Sequence, residues 1–247
     1  MIKKFKAIIL IRTNIIVYCF KYGICRRNFM AKVVVSASSL PAGRNMSSQL
    51  DYIKKMQNFG ADMYHLDVMD GVFVKNQTID YTYLEQLKLS STLLFDVHLM
   101  VQNPSKVISK YAQNGANILT IHYEVFASDK LFIKALKNIK KLGMMAGVAV
   151  DIDTDIKAIE PFLKYCDLVL VMCVKAGKGG QEFNEEALKK IKALRKLDSR
   201  ILIEVDGGIN DETGAKCVKA GADILVAGSY IYNNDAYEAI QALKGKK

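Results

Sequence analysis

Eight short apolar runs, each followed by a longer amphipathic run, constrain this chain more than any other feature. The short runs are residues 32–38, 63–69, 93–100, 118–122, 144–150, 168–174, 201–205 and 224–227. They are rich in Val, Ile and Leu with little alternation, the pattern of strands covered on both faces. Helical segments begin near Ser47, Tyr81, Pro104, Ser128, Thr154, Asn184, Asp211 and Asn234. Ser128, Thr154 and Asn184 are expected as caps or early-turn residues. Gly60, Gly115, Gly143 and Gly221 are expected as left-handed helix ends. Strand–helix alternation implies a parallel sheet. Eight repeats in about 215 residues predict an α/β fold of one closed (β/α)8 barrel, the TIM-barrel arrangement. An open doubly wound sheet would carry a Gly-rich turn after its first strand, and Ser36-Ala37-Ser38-Ser39 is not one.

The net charge of +10 first suggests a nucleic-acid or membrane partner, but its distribution argues otherwise. Residues 1–29 hold seven Lys and Arg and no acid, so the remainder carries only +3. No nucleic-acid partner is expected. Residues 1–29 contain two apolar runs interrupted at Arg12, a poor match to a membrane span or a signal peptide. The expected organisation is an extension over 1–29, disordered or not native, and a barrel domain over 30–247 without a membrane partner. Five cysteines without a CxxC pair favour a reducing, cytoplasmic setting.

Polar residues interrupt the strands at their C-terminal ends. His65, Asp67 and Met69 alternate, and residues two apart on a strand share a face. His98 and Met100 repeat the pattern, and Asp206 ends the seventh run. Such groups are costly to bury without a partner. The C-terminal ends of barrel strands form the active-site rim, and His65, Asp67, His98 and Asp206 converge there. Two imidazoles and two carboxylates suit one divalent ion; zinc, iron, manganese and cobalt all accept such donors. Asp67 and Asp206 would face each other across the mouth as general base and general acid. His122 reads equally as a structural neighbour of this site.

Glycines follow the last three strands: Gly177, Gly179 and Gly180, then Gly207 and Gly208, then Gly228 with Ser229. Backbone amides at such loops are suited to grip a phosphate. Met69, Met100 and Met172 would form an apolar cover over the reacting carbon.

The stretches HLDVMDGVFVKN, FDVHLMVQNPSKVI, LVLVMCVKAGKGGQEF and IEVDGGINDET resemble, in order, those of the ribulose-phosphate 3-epimerase family. The resemblance covers residues 32 to about 244. It implies interconversion of D-ribulose 5-phosphate and D-xylulose 5-phosphate by inversion at C3, through an enediolate. It also implies a sugar-phosphate substrate, usually zinc or iron on His65, Asp67, His98 and Asp206, a substrate contact at Ser36, and a homo-oligomer. Zinc is the expected ion. The chain departs from the family pattern at Val35, at Ser39-Leu40-Pro41, at Lys75, at Asp151–Thr154 and at Ala176-Gly177-Lys178. These departures leave open a sister epimerase of a hexulose 6-phosphate such as D-allulose 6-phosphate. The related decarboxylase and synthase pattern needs a lysine that Asp67-Val68-Met69-Asp70 lacks.

Overall fold

The computed structural model describes residues 33–246, so the extension over 1–29 lies outside the described residues. Eight parallel strands close into a barrel in sequence order, with β8 paired to β1. They are β1 Val34–Ser38, β2 Met63–Met69, β3 Leu94–Met100, β4 Ile118–His122, β5 Met145–Val150, β6 Leu168–Met172, β7 Leu202–Asp206 and β8 Ile224–Ala227. The helices are α1 Met46–Asn58, α2 Tyr81–Ser90, α3 Ile108–Gln113, α4 Asp129–Lys141, α5 Glu186–Leu197, α6 Asp211–Ala220, α7 Ser229–Asn233 and α8 Ala236–Leu243. The expected barrel is therefore the one observed.

Two cores explain the run-like strand sequences. Outward-facing Tyr64, Leu66, Phe95, Val97, Leu119, Val169 and Ile203 pack against the helices. Inward-facing Val34, Met63, Leu94, Ile118, Leu168, Leu202 and Ile224 form an apolar floor inside the barrel. Above that floor the interior turns polar. Ser36, His65, Asp96, Thr120 and Glu204 are each fully buried there. Asp67, His98 and His122 follow one step nearer the mouth.

Helix boundaries follow local chemistry more than the expected caps. Asn45, Asp80, Asn210 and Asp235 accept amide hydrogen bonds at the starts of α1, α2, α6 and α8. Asn184 also accepts one, from the Glu186 amide at 2.9 Å. Ser128 occupies its cap position without a side-chain bond. The helix expected from Thr154 is instead two 3-10 segments, Ile156–Ala158 and Glu160–Tyr165. Pro161 lacks the N–H that an α-helix would need there. The helix expected at Pro104 opens as a 3-10 turn and becomes α-helical only at Ile108. All four glycines expected at helix ends have positive φ.

Candidate metal centre and substrate cavity

The register that closes the barrel also assembles the site. Asp67 on β2 pairs with His98 on β3, and Met69 pairs with Met100. On the far side Met172 of β6 pairs with Asp206 of β7. Ligand atoms of His65, Asp67, His98 and Asp206 all lie within 4.8 Å of one another. His65 Nε2 sits 3.3 Å from Asp67 Oδ1. It is buried and has no hydrogen-bond partner. A buried ring nitrogen left without a partner among carboxylates is costly, and a cation bound in place of its proton would satisfy it. The donor set and this orphan therefore fit a divalent ion.

Charge follows from the same packing. Burial opposes ionisation of Asp67, but His65 and then His98 outweigh it and hold its carboxyl well below the usual range. For Asp206 the balance reverses: burial, then the neighbouring Asp67, outweighs the pull of His65 and raises it to about 7. Burial pushes His98 down to about 4, so this ring is neutral at physiological pH. Burial also disfavours a charged His65, yet Asp96 and Asp67 prevail and raise it well above the ordinary value. The two carboxyls thus differ in proton affinity, Asp206 holding its proton more tightly than Asp67, an asymmetry of the kind an acid–base pair uses.

Above the cluster opens a cavity of about 420 Å³. Asp67, Asp206, Met69, Met100 and Met172 line it, with Gly177, Gly179, Gly180, Gly207, Gly208, Gly228 and Ser229. His65 and His98 lie beneath its floor, fully buried. Gly208 is required for space as well as for φ +65°: a Cβ there would meet the Phe183 amide nitrogen at 2.5 Å. Asn76 donates to the Gly177 carbonyl at 2.7 Å and ties the loop after β2 to the loop after β6.

Ser36 lies deeper than expected for a substrate contact. Its hydroxyl donates to Asp96 Oδ2 at 3.1 Å, and it does not line the cavity. Ser38, two residues on along the same inward face, does line it and donates to Asp67 Oδ2 at 3.0 Å.

Three carboxylates of the site are additions to the expected set. Asp96 Oδ2 lies 2.7 Å from His65 Nδ1. Glu204 lies beside both, 3.9 Å from the same nitrogen; burial and then Asp96 raise its carboxyl well above the usual range. Asp96 and Glu204 stand two residues before His98 and Asp206, so the period-2 rule already places them on the inward face. Glu124, beyond the end of β4, lies 3.1 Å from His122 Nδ1. Burial would raise its carboxyl, but bonds from His122, Thr154 and Asp151 lower it to about 2.

Fold and cluster together define a (β/α)8 barrel with a candidate divalent-metal centre between two carboxylates. Residues 34–232 match the model of the Ribulose-phosphate 3 epimerase family, and the chain belongs to that family. A ribulose-phosphate 3-epimerase of Aquifex aeolicus is 42% identical over 184 residues, covering 73% of this chain and 82% of the relative. One from Bacillus subtilis is 41% identical over 201 residues, covering 79% and 91%. Solved structures share the fold at much lower identity. KGPDC from Streptococcus mutans superposes with a TM-score of 0.68 at 15% identity, covering 87% of this chain and 96% of that one. A tryptophan synthase alpha-subunit mutant from Pyrococcus furiosus gives 0.64 at 12% identity, covering 86% and 95%. Among the described residues no helix is long and apolar enough to cross a membrane.

Proposed function

We propose that this chain is a metal-dependent epimerase that interconverts D-ribulose 5-phosphate and D-xylulose 5-phosphate by inverting C3. The observation that carries the reading is the pair Asp67 and Asp206, on strands from opposite sides of the barrel and lining one cavity. Family membership supplies the substrate. His65 Nε2, His98 Nδ1 and the carboxylates of Asp67 and Asp206 would hold the ion. When bound, it supplies a positive charge that polarises the substrate's C2 carbonyl and stabilises the enediolate charge.

Asp67, the ionised carboxylate, takes the C3 proton from one face. The electrons of the C–H bond pass to the C2–C3 bond, and those of the carbonyl pass to its oxygen. Asp206, the carboxyl of higher proton affinity, delivers a proton to C3 from the other face. The opposite reaction exchanges their roles. Met69, Met100 and Met172 keep water from the carbanionic carbon. The amides around Gly177–Gly180, Gly207-Gly208 and Gly228-Ser229 grip the phosphate at the cavity's edge. Zinc, a cytoplasmic setting and a homo-oligomer complete the reading; family resemblance supports the first, with a nitrogen and oxygen donor set that zinc accepts, buried unpaired thiols of Cys166, Cys173 and Cys217 the second, and family resemblance the third.

A coupled assay that follows xylulose 5-phosphate tests it. Metal-loaded protein turns over ribulose 5-phosphate, and Asp206→Asn lowers kcat by about 10²–10⁴-fold. Turnover confined to a hexulose 6-phosphate reassigns the substrate; an active Asp206→Asn variant ends the two-carboxylate mechanism.

A further inference from the structure

His122 is the one histidine that the ligand set leaves out. Its ring meets that of His98 edge to edge, with centroids 5.0 Å apart and planes 25° from parallel. The two Nε2 atoms are 2.8 Å apart. Its Nδ1 lies 3.1 Å from Glu124 Oε2. The other carboxylate oxygen of Glu124 accepts from the Asp151 amide at 2.9 Å and the Thr154 hydroxyl at 2.5 Å. His122 is fully buried, with the Phe73 ring 4.9 Å away. At the other end of the row, His98 Nδ1 lies 3.2 Å from Asp67 Oδ1.

We infer that Glu124 and His122 are positioning residues that fix which nitrogen of His98 is offered to the ion. The inference rests on the metal reading above. A nitrogen that binds an ion must present a lone pair. His98 Nδ1 faces the cluster, so the proton of that ring sits on Nε2. That N–H must donate to His122 Nε2, which is therefore bare. The His122 proton is then on Nδ1, where the Glu124 carboxylate accepts it. With the ion on His98 Nδ1, every link has one orientation, and the Glu124 carboxylate at the end accepts in that same direction. His65 reaches the same result in one link. Its Nδ1 lies 2.7 Å from Asp96 Oδ2, a carboxylate that accepts the Nδ1 proton and so leaves the unpartnered Nε2 to offer its lone pair when the ion is bound. Both ligand rings are thus backed by a carboxylate, one directly and one through a second ring.

Glu124→Gln reverses the signal with little change of shape. If its amide oxygen keeps the Asp151 and Thr154 donors, its NH₂ faces His122 Nδ1. That nitrogen must now accept, and His98 is driven to carry its proton on Nδ1, where the ion should bind. If the amide turns round, its NH₂ meets the Asp151 amide instead.

The test is zinc affinity by chelator competition, with nitrogen-15 spectra of histidine-labelled, zinc-loaded protein. The chain has three histidines, so three rings are observed. Native protein should show His98 bound through Nδ1 with a proton on Nε2, and His122 protonated on Nδ1. Glu124→Gln should lose about 10–100-fold in zinc affinity and disturb both ring patterns. His122→Leu, checked for folding by near-ultraviolet dichroism without metal, should lose as much. Native zinc binding through His98 Nε2, or affinities of both variants within twofold of native, overturns this inference alone. A native protein that binds no divalent ion overturns the metal reading and this inference together.

Discussion

A methyl group placed on Gly147 would collide with the Thr120 hydroxyl and stand 3.1 Å from the Thr120 Cα. At this level of the barrel there is no room for a methyl group between β4 and β5. Gly147→Ala should destabilise the protein by about 1–3 kcal/mol, read as a lower denaturant midpoint with unchanged slope. An unchanged midpoint would mean that β4 and β5 can part without cost. At this scale the sequence was legible where period 2 meets burial. His65, Asp67, His98 and Asp206 stand out because an inward strand face should be apolar. Asp96 and Glu204 obey the same rule one step deeper, but attention to strand ends passes over them. Glu124 follows no strand period. Its place depends on the 3-10 turn Tyr123–Val125, whose direction is set by packing after the strand has ended.

Between β5 and β6 the chain does without an α-helix, and a lysine organises it. The ammonium of Lys190, on α5, donates to the carbonyls of Asp151, Ile152 and Thr154 at 2.8, 2.5 and 2.6 Å. Glu124 holds the same loop from below through the Asp151 amide and the Thr154 hydroxyl. Lys190→Met keeps the stem and removes the donors, so three carbonyls lose their partner. We expect a loss of about 1–3 kcal/mol, with faster amide exchange confined to residues 151–158. Exchange no faster than in the native protein would show that the carbonyls are satisfied without the lysine. Strands were readable almost to the residue, since each must be covered on both faces. Helices were readable as segments but less so at their ends, because Asn, Asp, Ser and Thr are common in loops and only geometry selects which one caps. Pro161 was visible in the sequence; its effect on the preceding turn is what changes the helix type.

Taken whole, the molecule places like charges at the centre of a closed cage, and an ion that binds only the folded state must stabilise it. At a free concentration 100 times its Kd, the linkage amounts to about 2.7 kcal/mol. Chelator should lower the Tm by several degrees, and zinc should restore it; equal Tm values with and without metal would argue against an ion shared by the four ligands. The closed order of strands was predictable from eight repeats, whereas the depth of the cavity was not, since it depends on how the loops meet over the mouth. Closure also imposes an order in time. β1 pairs with β8, so Val34 must wait for Ile224, and the Lys244 ammonium fastens to the Gly60 carbonyl at 2.6 Å across 184 residues. At about 5–20 residues per second, a ribosome takes roughly 10–40 s to travel from the first strand to the last. Throughout that interval the inward face of the early strands has no lid and no floor. His65 and His98 leave the ribosome long before Asp206. A nascent chain that has exposed β2 and β3 but not β7 therefore offers an incomplete set of donors, and the four candidate ligands meet only once β7 has joined the barrel.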